Sequence, residues 1–218
     1  MKMKIKWLYS QKKIEEIWFE SEWMEREMVL PLIQDLEKTG RLKQAVIIDE
    51  LKNEWTKKEF RKLNEKLEEE PTDITVYFDG GFDRSTFTAG IGIVIYYKKS
   101  GGHYRIRANQ KLEELESNSE AEYAALYQAI QRLEELGVKN TVCTISGDSQ
   151  GVLKQLAGEW PCFEENLNKW LDRIEEKINE LNITPLYKEV DRKQNKEADK
   201  LATQALKGIM INSHSKIG

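Results

Sequence analysis

The sequence predicts an α/β protein in two parts. A small α/β domain occupies residues 1–70, and a larger one over 71–208 holds a mixed five-stranded sheet flanked by helices; residues 209–218 are left as a tail. Three observations predict this. Leu67-Glu68-Glu69-Glu70-Pro71 is an acidic run ending in a proline, which stops a helix and starts an extended segment. Beyond it, three strand-like runs follow one another through short turns. Strand-like and helix-like segments then alternate to residue 206, the pattern of a mixed sheet with helices on its faces.

In the first part, Ile5–Tyr9 and Ile14–Phe19 read as strands. Met24, Met28, Leu32 and Leu36 recur at every fourth residue, the apolar stripe of a helix, in which Pro31 forces a kink or a late start. Ala45–Asp49 reads as a buried strand. Thr56-Lys57-Lys58-Glu59 is a capping box that opens a second helix running to about residue 67. Acidic and basic residues nearly balance here. Spacing among apolar residues places most of Trp7, Trp18, Trp23 and Trp55 in the core.

In the second part the expected strands are Ile74–Asp79, Gly90–Tyr97, His103–Ala108, Thr141–Ser146 and Thr184–Val190, with Lys99-Ser100-Gly101-Gly102 as a hairpin turn. Ser119–Leu136 is a long helix stopped by Gly137. A short helix follows Asp148, a longer one covers Phe163–Leu181, and Asn195–Leu206 closes the domain.

Composition narrows the function classes. Charged residues are 33%, hydrophobic residues 39%, and mean hydropathy is −0.66, a soluble globular balance. No apolar run spans a bilayer, and the basic start Met1-Lys2-Met3-Lys4-Ile5-Lys6-Trp7 lacks the apolar stretch of a signal peptide. The two cysteines, Cys143 and Cys162, make no disulfide framework and fit a reducing, cytoplasmic setting; Cys143 reads as a small core residue. The net charge of −4 argues against tight binding of nucleic acid by charge alone.

Four carboxylates stand out: Asp79 in Tyr77-Phe78-Asp79-Gly80-Gly81, Glu122 in Asn118-Ser119-Glu120-Ala121-Glu122-Tyr123, Asp148 in Gly147-Asp148-Ser149-Gln150, and Asp199 in Asn195-Lys196-Glu197-Ala198-Asp199. Each sits at a strand end or a helix start. Singly, each has an ordinary reading. Asp-Gly is a turn signal, Ser119 with Glu122 is a capping box, Asp148 is a helix cap, and Asp199 lies where a helix dipole favours an acid. Together they point to a site that gathers repelling carboxylates around hard cations, the machinery for displacement at phosphorus. Glu120 competes with Glu122, but only Glu122 lies on the helix side of Ala125 and Leu126.

In that order, FDGG, SNSEAEY, GDSQ and NKEADKLA resemble ribonuclease H type 1, over about residues 73–207. The resemblance implies a metal-dependent endonuclease that cuts the RNA strand of RNA–DNA hybrids with two Mg²⁺ or Mn²⁺ ions. It makes Asp79 the ligand shared by both ions, assigns Asp199 to the ion that activates water, and assigns Glu122 and Asp148 to the ion at the leaving 3′ oxygen. It places Ser117, Asn118 and Ser119 on sugar or phosphate and Gln150 near a base. Gly80, Gly81 and the Glu122 carboxylate become candidates for reading the 2′-hydroxyl. No membrane or small-molecule cofactor is implied, and protein partners are left open.

The chain departs from the family twice. Val190-Asp191-Arg192-Lys193-Gln194-Asn195 lacks the histidine many bacterial members carry there, and His103 and His214 read as surface residues. The lysine- and tryptophan-rich handle is also missing. In its place stands an acidic stretch around Trp160 and Phe163, both expected in the core; Arg105 and Arg107 share one face of a strand, a solvated face by default. These departures keep two alternatives: a nucleic-acid-binding protein of this fold with weak or no catalysis, or a nuclease of the same fold with another nucleic-acid substrate.

Overall fold

The computed structural model describes residues 1–218, which divide into two compact units, Met1–Glu68 and Glu69–Gly218.

In the first unit, β1 (Lys2–Gln11) lies between β2 (Ile14–Glu20) and β4 (Leu42–Asp49), antiparallel to both; β3 (Met24–Glu25) also pairs with β1, and β5 (Glu54–Trp55) with β4. Alternation along β1 buries Met3 and Ile5, which meet Ile47 of β4, Val29 and Ile33 of α1 (Arg26–Lys38), and Phe60 of α2 (Lys57–Glu69). Both helices therefore cover the Met3–Ile5 side of the sheet. The expected box at Thr56 forms: Glu59 N donates to Thr56 Oγ1 at 3.2 Å, and Thr56 N donates to Glu59 Oε2 at 2.9 Å.

Three expectations for this unit fail. Helix α1 buries Val29 and Ile33, while Met28 is exposed, so the true stripe is set one residue along from the expected one. Pro31 does not delay the helix, which starts at Arg26 and carries it inside. Trp18 and Trp23 are exposed; they belong to the sheet side away from the helices and to its margin, where no layer covers them.

In the second unit the strands are β6 (Thr72–Asp83), β7 (Thr88–Lys99), β8 (Gly102–Glu113), β9 (Val142–Gly147), β10 (Thr184–Glu189) and β11 (Asn212–Lys216). Their order is β10-β9-β6-β7-β8-β11, with β6, β9 and β10 parallel and the rest antiparallel. One face carries α3 (Asn118–Glu135), α4 (Gln150–Leu156) and α5 (Glu165–Glu180) over Val76, Phe78, Ile91, Ile93 and Ile145; α6 (Lys196–Leu206) lies against the other. The expected α/β class and mixed sheet are present, and β11 adds a sixth strand where a tail was expected. All five residues of β11 are polar and exposed, so no apolar alternation announces it. It is held by the β8 backbone and by Asn109, whose Oδ1 accepts from Ile211 N at 2.6 Å.

Gly90 and Gly92 explain how α6 reaches the sheet. A Cβ would lie 2.2 Å from Ala202 O at Gly90 and 2.1 Å from Ala198 O at Gly92. Side chains there would push away the helix that carries Asp199. Cys143 is a buried core residue, as expected, and burial pushes its thiol up to about 12.

Candidate active site

Alternation along β6 turns Phe78 into the core and Asp79 toward the other face; the strand does not end at Asp79 as expected but runs on to Asp83, while its pairing with β9 stops at Tyr77. Gly80 follows with no room for a side chain, since its Cβ would lie 2.3 Å from Ala121 C and Glu122 N. The first turns of α3 thus press on β6, and the Gly80 N–H donates to Glu122 Oε2 at 3.2 Å. Close approach at Gly80 is that of a helix, and its backbone still borders the cavity. Gly81 borders the cavity.

Capping of α3 decides between the two glutamates. Ser117, not Ser119, is the cap: its Oγ accepts from Glu120 N at 3.1 Å. Glu120 Oε2 accepts from Glu116 N at 2.8 Å and its Oε1 from Trp170 Nε1 at 3.0 Å. Glu120 is committed to the helix start, and Glu122, one-half turn on, is buried over β6.

Asp148 follows β9. It does not cap α4, where Ser149 holds the cap position. Its Oδ1 accepts from Asn195 Nδ2 at 2.7 Å, and the same nitrogen donates to Phe78 O at 2.9 Å. Asn195, read from sequence as a helix cap, makes no side-chain cap bond and is 1% exposed. It ties the loop after β9 to Phe78 of β6. Asp199, in the first turn of α6, accepts from Arg192 at 3.1 Å.

Asp79, Glu122, Asp148 and Asp199 line one cavity of about 280 Å³ with Gly80, Gly81, Asn118, Arg192, Ala202 and Thr203. Of the expected substrate contacts, Gly80, Gly81 and Asn118 are there. Ser117, Ser119 and Gln150 are not among the lining residues, and Gln150 instead donates to Glu189 Oε2 at 3.1 Å. Sequence reasoning missed Asn195 as a tie, Arg192 as the cation of the site, and Ala202 and Thr203 as its wall. Arg192 was visible as one of several basic residues beside the last helix, but nothing local singled it out.

The electrostatics are those of crowded anions. Burial, then Asp148, then Asp199 raise Asp79 from 3.8 to about 7, with Arg192 opposing and no hydrogen bond contributing. Burial, then Asp79 and Asp148, raise Glu122 from 4.5 to about 9, against the Gly80 N–H and Arg192. No three acidic, histidine or cysteine side chains stand close enough together to hold one ion as arranged. Glu122 accepts from Gly80 N, Asp148 from Asn195 and Asp199 from Arg192. The donors are all oxygens, which suits hard divalent cations, and a cation would relieve the repulsion that raises Asp79 and Glu122.

The other aromatic and basic candidates fall elsewhere. Trp160 and Phe163, expected in the core, are exposed between α4 and α5, with Lys154 Nζ 4.9 Å from the Trp160 ring. Arg105 and Arg107 are not simply solvated: both pair with Glu197, at 3.2 and 2.8 Å. His103 is exposed, and His214 on β11 meets Tyr97 Oη at 2.6 Å. No histidine lines the carboxylate cavity.

The strand order, with α6 alone on one face, and the carboxylate cavity where β6 outruns β9 define a ribonuclease H-like domain. Comparison with known proteins agrees. A family model described as reverse transcriptase-like matches residues 77–205, which include all four carboxylates. The crystal structure of RNase H1 from the halophilic archaeon Halobacterium salinarum NRC-1 superposes with TM-score 0.55 at 29% identity, over 62% of this chain and 98% of that one. LC11-RNase H1 in complex with an RNA/DNA hybrid gives TM-score 0.55 at 26% identity over the same shares. In sequence, the ribonuclease HI of Halobacterium salinarum is 30% identical over 148 residues, 62% of this chain and 71% of that protein. The uncharacterized protein YpeP of Bacillus subtilis is 44% identical over 199 residues, 91% of this chain and 88% of that one, a match that takes in most of the first unit as well.

The chain belongs to the ribonuclease H-like family. It is a hydrolase of the ribonuclease H type. No helix is long and apolar enough to cross a membrane.

Proposed function

We propose that this protein is a divalent-metal-dependent endonuclease that hydrolyses the RNA strand of RNA–DNA hybrids. The observation that carries the reading is the convergence of Asp79, Glu122, Asp148 and Asp199, from four separate elements, on one cavity. The relative in complex with an RNA/DNA hybrid supports the substrate class.

Asp79, Glu122, Asp148 and Asp199 would hold two ions, Mg²⁺ or Mn²⁺. Bound there, they supply charge neutralisation at the phosphate and acidify the attacking water. The chain's own groups do the rest. Asn118, at the first position of α3 on the cavity wall, offers an amide to sugar or phosphate. Asn195 fixes Asp148 relative to Phe78 of β6, so that Asp148 and the neighbouring Asp79 keep their separation. Arg192 neutralises part of the acidic cluster, and its exposed guanidinium would be free to meet a phosphate.

The test is incubation of wild type and Asp79→Asn with a labelled hybrid in Mg²⁺ and then Mn²⁺. Cleavage of the RNA strand, leaving 5′-phosphate, by wild type alone is the expected result. Equal cleavage by both proteins, or none by either when both are folded, overturns the proposal.

A further inference from the structure

The lysines of Met1-Lys2-Met3-Lys4-Ile5-Lys6-Trp7 have no part in the proposed hydrolysis, yet the fold sorts them with care. Met3 and Ile5 are fully buried under α1 and α2, so Lys2, Lys4 and Lys6 project from the opposite side of β1. They form a column with steps of about 7 Å, on the scale of successive phosphates in an extended strand. Two indoles stand along one flank of it, on the β2–β3 edge, with β4 on the other. Lys6 Nζ lies 5.4 Å from the centre of the Trp18 ring, and Lys4 Nζ lies 5.1 Å from that of Trp23. Both rings are more than two-fifths exposed, at 45% and 43%. Val46 and Ile48 of β4, opposite Lys6 and Lys4, extend the face. Glu20 and Glu25 border it, opposite Lys6 and Lys2, and Glu20 is already paired with Lys4 at 2.7 Å.

We propose that this open face of the first unit binds single-stranded nucleic acid, with bases on Trp18 and Trp23 and phosphates on Lys2, Lys4 and Lys6. Exposed aromatic rings interleaved with cations on a sheet are what unpaired bases and their phosphodiesters require. A protein partner fits worse, because lysines in the middle of the patch would have to be desolvated, and lysine is depleted from the centres of protein interfaces. A second copy docked face to face would set the lysine column against itself. A duplex fits worse too, because its bases already stack on one another. The inference goes beyond the proposed hydrolysis and does not depend on it.

The test uses the full chain in chelator, so that hydrolysis cannot interfere, with labelled oligo(dT) and oligo(U) of about 20 nucleotides at two salt concentrations. Fluorescence anisotropy is expected to show salt-sensitive binding that Trp18→Ala and Trp23→Ala each weaken about tenfold. Trp18→Phe keeps most of the affinity, and Lys4→Gln with Lys6→Gln flattens the salt dependence by about 0.7 per lysine. Leu51→Ala, an exposed apolar residue off this face, binds as wild type. Thermal melts of every variant separate lost binding from lost folding. Binding of only one oligonucleotide still supports the proposal and names the strand. Absence of binding by wild type overturns it, as does full affinity in the folded Trp18→Ala, Trp23→Ala double variant. It is also overturned if wild type self-associates through this face and the double variant is a monomer with unchanged oligonucleotide affinity.

Discussion

Asp79→Asn is expected to abolish hydrolysis and, in the absence of metal, to stabilise the protein. Folding raises the Asp79 carboxyl from 3.8 to about 7. A carboxyl raised in the folded state favours its proton there, so the stability it allows is fully present below about pH 4 and is lost as pH climbs through about 7. At about 1.36 kcal/mol per pH unit, the cost of ionised Asp79 is at most about 4 kcal/mol above pH 7. Water in the cavity screens part of that, leaving roughly 1–3 kcal/mol for asparagine to recover. Glu122 is raised further, to about 9, chiefly by burial. For a chain of this size the gain is on the order of 5 °C in Tm. The assay is thermal unfolding in chelator near pH 8 and near pH 4.5, then with Mg²⁺. The variant should melt higher at the alkaline pH, the gap should shrink at the acidic one, and Mg²⁺ should stabilise wild type more than the variant. A variant that melts lower than wild type near pH 8, or a gap independent of pH, refutes the electrostatic reasoning even if activity is lost.

Three further outcomes are expected. Asn195→Ala breaks the tie between Phe78 O and Asp148; it should cost about 1–3 kcal/mol of stability and lower Mn²⁺ affinity roughly 10–100-fold by calorimetry. Gly92→Ala places a methyl 2.1 Å from Ala198 O and should destabilise by about 3 kcal/mol or more in urea unfolding, displacing α6 and Asp199 with it. Arg192→Ala removes the cation that holds Asp79 and Glu122 down, so both carboxyls rise further and the acidic limb of the pH–rate profile should move to higher pH.

The large elements of the second unit were legible because their apolar periods are long and their punctuation is strong. Helix α3 has eighteen residues with a buried stripe, and β7 alternates isoleucines against glycines and valine. The four carboxylates were legible because each stands in a fixed place relative to such an element. Less was readable where a signal was weak or contradicted. The first helix offered two apolar phases, Met24-Met28-Leu32 and Val29-Ile33, and only packing against Met3, Ile5 and Ile47 chose between them. The β11 strand has no apolar pattern at all, and its pairing rests on backbone bonds to β8. Exposed Trp18, Trp23, Trp160 and Phe163 were misjudged for one reason: large aromatic residues are usually buried, and a sequence does not say which side of a sheet lacks a cover.

By itself, the sequence determined the α/β class and predicted the carboxylate set and Glu122 ahead of Glu120, because chain order and helical phase are local properties. Tertiary structure decided what no local pattern can hold. It pressed α3 and α6 onto glycines of β6 and β7, so that two helix starts carry Glu122 and Asp199 to the cavity beside Asp79. It turned Asn195 from a cap into a tie between two strands, and it made Arg192 the partner of Asp199. The raised Asp79 and Glu122 carboxyls arise only from that assembly, since burial and mutual repulsion are properties of groups brought together and not of any one residue.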